Sequence, residues 1–456
     1  MPLLKAPLIL LMVFLLPSNS MAAKASPNVI LIMADDLGYN DLSCYGSVMI
    51  KTPVLDQLAA EGVRLTSFYS GSTICTPSRI ALLTGMYPVR CGWQGGVVGY
   101  GVKAQNGLSP ETTTIAEVFK LAGYETALIG KWHLGDSAAH SPAVHGFNTT
   151  YFIDKSNNQT SKLWRGSELI ADPFDNRRLT ELFTREAIRF VEANQDKPFF
   201  LYLPLSAPHF PAEAHPKWKG KTKLGAYGDV VEELDTRVGE ILNTLKQLKL
   251  EDNTIVIFLS DNGVEPGQKQ WAQSAPYRGL KWSTLEGGNR VPCIIRWPGR
   301  IPDQQTNNHL IGAIDLFPSL TAACQLNSHE IKETIANTNG VNIMPSLRRR
   351  AAGRPIRSTL LFWHGWGTPQ AIRSGNWKLY FDEIKELPDS KKGPVLINLE
   401  NDPAEHTNLS QQNPQRVSEL LEEARSQLSR IQGGSIPLGG PVDNKARVPD
   451  KPKWLP

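Results

Sequence analysis

The chain has 456 residues, 41% of them hydrophobic and 20% charged, ordinary proportions for a globular protein with a large buried core. Its formal net charge of +4 is too small to imply a nucleic-acid partner. Past the N-terminal segment no run approaches the ~20 uninterrupted apolar residues of a membrane helix, so no further membrane-spanning helix is expected.

Residues 1–23 place Lys5 ahead of an apolar run and then a stretch of small residues ending at Ala23. That order predicts a secretory signal peptide, with no Cys positioned for a lipid anchor. The mature protein is expected in a periplasm, an extracellular space or, in a eukaryote, a lumen, without a membrane anchor. Apolar runs bounded by Gly, Pro or Asp predict strands at 28–33, 125–129, 199–203 and 255–259. Helical patterns lie between them at 114–121, 178–193 and 229–248, the last with Leu234, Val238, Ile241, Leu242 and Leu245 on one face. The alternation predicts an α/β fold, a large mostly parallel sheet sandwiched by helices.

In such a sheet, polar residues just past the carboxyl ends of strands gather in one crevice. Asp35 and Asp36 follow the first run, Lys131 and His133 the second, His209 the third, and Asp261 and Asn262 the fourth. The carboxylates and the amide offer only hard oxygen ligands, a set that suits calcium and disfavours zinc. One Asp after a strand is commonly a helix cap or an Asx-turn. Two such strand ends together favour the metal reading. Lys131 and Lys281 have the chemistry to hold anionic oxygens, and His133 and His209 to move protons near neutral pH.

Farther on, Asp315–Leu320 reads as helical and a Pro-, Gly- and Arg-rich stretch runs to about 356. Strand-like pieces at 359–363, 371–372, 377–381 and 395–399 precede a helix with Asn413 as N-cap, Pro414 at its first position, and a stripe of Val417, Leu420, Leu421, Ala424, Leu428 and Ile431. A smaller antiparallel sheet with a packed helix is expected, giving a signal peptide (1–23), a catalytic domain (24–345) and a C-terminal subdomain (346–456). His364 and Trp366 are read as core or surface residues, with substrate contact as the secondary expectation. Arg348, Arg349, Arg350, Arg354 and Arg357 read as a solvated loop, or else as a contact for a polyanionic substrate. The tail from 433 has no periodicity, and 149–177 carries no usable motif. Asn148, Asn158 and Asn408 head glycosylation-type sequons.

The segment Cys75-Thr76-Pro77-Ser78-Arg79, followed by Ile80-Ala81-Leu82-Leu83-Thr84-Gly85, places a reactive side chain and a guanidinium at the opening of a helix, where anions are favoured. It resembles the type I sulfatases. The resemblance continues through Asp35-Asp36, Gly130–Gly135, the His209 segment, Asp261-Asn262-Gly263, Lys281, Glu286–Pro292 and Asn398–Pro403, and departs at Thr76, where many members have Ser. It implies an alkaline-phosphatase-like fold and hydrolysis of a sulfate ester. It implies that Cys75 is converted by a formylglycine-generating system, and that one calcium ion is bound by Asp35, Asp36, modified Cys75, Asp261 and Asn262. By the same resemblance, a hydroxyl of the hydrated aldehyde attacks sulfur, Arg79 and Lys131 secure the sulfate, His209 and Lys281 serve the leaving oxygen, and His133 accepts the proton that lets sulfate depart. The favoured substrate is a sulfated carbohydrate, with an aryl sulfate beside it. A phosphate or phosphonate ester hydrolase and a non-catalytic binder of sulfated glycans are the other readings. With Cys75 set apart, Cys44, Cys91, Cys293 and Cys324 form up to two disulfides in any of three pairings, or stay buried and reduced.

Overall fold

Every residue of β1 (Asn28–Ala34) is buried, which a strand sustains only at the centre of a sheet covered on both faces. The structure, a computed structural model, describes residues 26–93, 95–102, 107–348 and 355–432. The predicted signal peptide, Arg349, Arg350, Arg354 and the 433–456 tail lie outside the described residues. After β1 the principal sheet takes β2 (Val63–Leu65), β3 (Glu125–Lys131), β4 (Thr149–Ile153), β5 (Leu163–Arg165), β6 (Glu168–Ala171), β7 (Phe199–Pro204), β8 (Thr254–Ser260), β9 (Cys293–Arg296) and β10 (Gln305–Asn307). Their order is β10-β2-β9-β8-β1-β7-β3-β4-β5-β6. The central run from β8 to β4 is parallel, and antiparallel pairs occur on either side of it, so the sheet is mixed.

The two-residue period of β1 sorts its side chains: Val29, Leu31 and Met33 enter one core, Ile30, Ile32 and Ala34 the other. Helices α1 (Pro53–Ala60), α2 (Cys75–Thr84), α3 (Ile115–Leu121), α4 (Leu179–Ala193), α5 (Gly225–Gln247) and α6 (Leu316–Ala323) close these cores. The first core takes Leu82 and Leu83 of α2, Phe119 of α3 and Phe317 of α6. The second takes Leu55 of α1, Phe183 of α4, and Leu234, Val238, Ile241 and Leu245 of α5. Each such buried side chain contributes roughly 1.5–3 kcal/mol before chain entropy is charged against it. Helix α3 starts on a reciprocal cap: Glu117 N donates to Thr114 Oγ1, and Thr114 N donates to Glu117 Oε2. Helix α5 begins four residues before the expected 229.

A second sheet, β11 (Thr359–Trp363), β12 (Pro369–Ser374), β13 (Trp377–Tyr380) and β14 (Val395–Asn398), is antiparallel in that order. Helix α7 (Pro414–Gln432) packs Leu420, Ala424, Leu428 and Ile431 into its core.

All five cysteines are unpaired, so the reduced alternative is the one observed. The arginine run requires a correction. Arg357 is neither solvated nor free for substrate: it is buried in an ion pair with fully buried Asp315, Nε to Oδ2 at 2.8 Å, because that carboxylate needs a counter-charge. Arg348 is exposed and lies over the Trp297 ring. No helix of the described residues is long and apolar enough to cross a membrane.

Candidate active site

Because β8, β1, β7 and β3 are adjacent and parallel, their carboxyl ends share one edge of the sheet. Asp35 and Asp36 follow β1, Lys131 is the last residue of β3, Asp261 and Asn262 follow β8, and His209 lies five residues beyond β7. Helix α2 presents its first residue to the same edge: Cys75 Sγ lies 3.4 Å from Asp35 Oδ1 and 4.0 Å from Asp36 Oδ1. Arg79 follows one turn later on the same face. All the residues expected at the site from the sequence are thus brought together, and all are buried.

Three cations match three carboxylates. Lys131 Nζ donates to Asp35 Oδ2 at 2.6 Å, and Lys281 Nζ donates to Asp36 Oδ2 at 2.8 Å. Arg79 donates to Asp261 Oδ2 through Nε (3.2 Å) and a terminal nitrogen (2.8 Å). Asp261 Oδ1 accepts the Asp36 N–H at 3.1 Å, and Asn262 Nδ2 donates to Asp36 Oδ1 at 2.7 Å. Asp36, His133 and Trp282 all take the left-handed backbone conformation, with φ of 65°, 58° and 77°. Such strain persists only where surrounding contacts impose it, and it collects at functional sites.

Burial and pairing set the electrostatics. Burial alone would raise the Asp35 carboxyl, but Lys131, His209 and Arg79 hold it well below its ordinary value. Burial raises Asp36 against the pull of Lys281. Burial, with the charge of Asp35, pushes Asp261 up to about 7 despite Arg79. Burial and Asp35 push the Cys75 thiol well above its ordinary value. His133 is held well below its ordinary value by burial and by Lys131 and Arg79. Its Nε2 faces the Val98 carbonyl at 3.1 Å, which assigns the proton there and leaves buried Nδ1 as an acceptor without a partner among the described residues. His209 is lowered to about 3 by burial and Lys281. Its Nδ1 sits between two acceptors, Asn157 Oδ1 (3.0 Å) and Phe210 O (2.7 Å), so that nitrogen donates and Nε2 lies 3.5 Å from Asp36 Oδ2.

Ligand atoms of Asp35, Asp36, Cys75 and His209 lie within 4.8 Å of one another. Asn262 Oδ1 is buried with no hydrogen-bond partner among the described residues. Such an unspent oxygen is costly unless something binds it, and with the carboxylates it composes a hard-donor set that fits a divalent cation. A cavity of about 340 Å³ opens beside it, lined by Cys75, His133, His209 and Lys281.

With this geometry in view, comparison with known proteins decides the family: the sulfatase family model matches residues 27–326. The chain belongs to the sulfatases. It is 30% identical to steryl-sulfatase from Homo sapiens over 92% of this chain and 90% of that protein. It is 31% identical to N-acetylgalactosamine-6-O-sulfatase from Bacteroides thetaiotaomicron, over 87% and 92% respectively. A solved sulfatase structure from work on glycosaminoglycan metabolism by that bacterium superposes with a TM-score of 0.80 at 28% identity, covering 89% of this chain and all of the other. This sulfatase has the alkaline-phosphatase-like architecture of its type I relatives.

Several residues of the sulfatase site escaped the sequence reading. Glu265 lies 3.3 Å from Lys281 Nζ, and Asn157 orients His209. Ser156, Asn158 and Gln159 line the cavity, although their stretch showed no usable motif. Tyr100, Phe210 and Trp282 line it as well. The available signal was the position of Phe210 and Trp282 directly after His209 and Lys281.

Proposed function

We propose that this sulfatase releases sulfate from a sulfated carbohydrate, with formylglycine derived from Cys75 as its nucleophile and one calcium ion held by Asp35, Asp36, Asp261 and Asn262. The observation that carries the reading is the meeting of Cys75, which lines a cavity, with three carboxylates, three cations and an unpartnered Asn262 oxygen. The N-acetylgalactosamine-6-sulfatases among the relatives support a sugar substrate.

Calcium at that site would supply positive charge to the sulfate oxygens and lower the pKa of a bound hydroxyl. Hydrated formylglycine would offer one hydroxyl for attack and a second whose deprotonation releases the sulfate. Arg79 and Lys131 keep the reacting group and the carboxylates in register, since Arg79 also donates to the Lys131 carbonyl at 2.9 Å. His133 Nδ1 is the free acceptor for the proton of the second hydroxyl. Lys281 and His209 flank Asp36 beside the leaving oxygen: His209 Nε2, unprotonated, would take the proton of the attacking hydroxyl and return it to the departing alcohol, with Lys281 Nζ donating to the same oxygen. One water is consumed per ester, giving alcohol and sulfate.

Residues 24–345 are taken as the catalytic unit and 346–456 as the subdomain that walls it, with export directed by residues 1–23. The principal sheet within 28–307 and the second within 359–398 support that division. Mass spectrometry of the Cys75 peptide tests the nucleophile: the expected peptide is lighter than the thiol form and carries a carbonyl that can be labelled. Paired aryl sulfate and aryl phosphate substrates test the reaction, with faster sulfate cleavage expected. A matured enzyme carrying an intact thiol and cleaving only the phosphate would refute the reading.

A further inference from the structure

Three aromatic rings meet where the cavity opens. Trp282 and Trp366 stack at 5.5 Å between centroids, and Tyr100 lies 6.2 Å from each. Tyr100 and Trp282 line the cavity, and Trp366, in the turn between β11 and β12, packs its ring against both. Tyr100 is 58% exposed and Trp366 40%, which leaves ring surface on both open to solvent. The turn is docked deliberately: Gly96 N donates to Gly365 O at 2.8 Å. A Cβ on Gly365 would come within 2.7 Å of Ile74 and 3.0 Å of the Trp282 ring, and one on Gly95 within 2.3 Å of the Trp366 Cα. Bare backbone on both sides lets the C-terminal sheet bring its tryptophan to the catalytic lysine's neighbour.

The same cavity carries polar groups. Asn158, Gln159, Ser156 and Glu265 line it, and Gln159 Oε1 is buried without a partner among the described residues. Aromatic faces prefer C–H edges of partial positive charge, and an unpartnered amide oxygen needs an O–H or N–H donor. A pyranose offers both, with C–H groups on its faces and hydroxyls around its rim. A sterol offers the first and, beyond its ester, little of the second.

We propose that Tyr100, Trp282 and Trp366 form a stacking wall for a pyranose ring of the sulfated substrate, whose hydroxyls are bound by Gln159 and Asn158. The inference rests on the carbohydrate reading above and specifies how that substrate is selected. Trp282 directly follows Lys281, so a ring stacked on it is held beside the group that serves the leaving oxygen.

The test compares wild-type enzyme with Tyr100→Ala, Trp366→Ala and Gln159→Leu on a panel of defined sulfated disaccharides and on a steryl sulfate, with KM and kcat read separately. For the disaccharide cleaved best, each variant is expected to raise KM about tenfold with kcat within about threefold, and Tyr100→Phe and Trp366→Phe to recover most of the loss. Titration of that disaccharide into Cys75→Ala protein, with and without Trp366→Ala, is expected to show the same ratio in affinity without turnover. Wild-type cleavage of a disaccharide whose KM stays unchanged in all three variants would overturn the wall and leave the carbohydrate reading standing. A wild-type enzyme that cleaves no sulfated saccharide would overturn both.

Discussion

Two buried clusters of opposite charge lie in this sulfatase, assembled from similar side chains. At the active site Asp35, Asp36 and Asp261 meet Lys131, Lys281 and Arg79. At the seam between the two sheets, Lys378 of β13 donates to Glu286 Oε1 at 2.8 Å and lies 3.4 Å from Glu405. Tyr69 donates to Glu286 Oε2 at 2.5 Å, Tyr380 donates to Glu405, and Arg290 lies 3.1 Å from Glu286. The seam is closed, and each of these charged ends has a partner. The active site keeps unspent valence, Asn262 Oδ1 and, on a residue lining a cavity, His133 Nδ1. Buried charge therefore marks strong constraint at both places, whereas unspent polar atoms mark the one that works on a ligand.

Substitutions that separate chemistry from stability sharpen the contrast. Cys75→Ala is expected to lower sulfate release by about 10³-fold or more while the melting temperature holds, measured by sulfate assay and calorimetry. Loss of the fold without loss of turnover would reverse the assignment of the two clusters.

At the seam the opposite holds. Lys378→Met leaves buried Glu405 without a cation and Glu286 with Arg290 alone at contact distance, and is expected to cost about 3–5 kcal/mol in denaturant unfolding. Adding Glu405→Gln should return part of that loss, since the uncompensated charge is then gone. A single variant as stable as wild type would mean that the seam charge is idle.

Acid probes the same cluster. Burial alone would raise Glu286, but Lys378, Arg290 and Arg373 hold it down to about 2, below its unfolded value near 4.5. Its contribution to stability is therefore complete above about pH 4.5 and is lost as pH falls toward 2. Glu286→Gln should flatten that part of the stability curve. An unchanged acid slope would contradict the pairing.

The smallest expected effect is on the ligand side. Chelation should lower the melting temperature by a few degrees, with calcium restoring it, since an ion at a hundredfold excess over its Kd stabilises by about 2.7 kcal/mol. Asp36→Asn should abolish that response. The seam variants should keep it.

Much of the active site was legible because its residues sit at the ends of β1, β3 and β8, and each of those strands is a continuous apolar run that announces itself. Parallel order then does the gathering. The short strands β2, β5, β9 and β10 run only three or four residues, too few for a pattern to stand out. Arg357 was misread because a basic run looks solvated until its buried partner, Asp315, is placed against it. Gln159 and Tyr100 lay in loops whose composition carries no period.

The order of residues alone determined the element types, the strand-end placement of Asp35, Asp36, Lys131 and Asp261, and the reactive Cys75 at the head of a helix, since these depend on local pattern and on the alternation of strand with helix. Tertiary structure decided which carboxylate each cation serves, which polar atoms stay unspent, and that Trp366 of the second sheet meets Trp282 and Tyr100 of the first unit. Those outcomes turn on distances of a few ångströms between segments remote in the chain. Only packing of the whole molecule sets them.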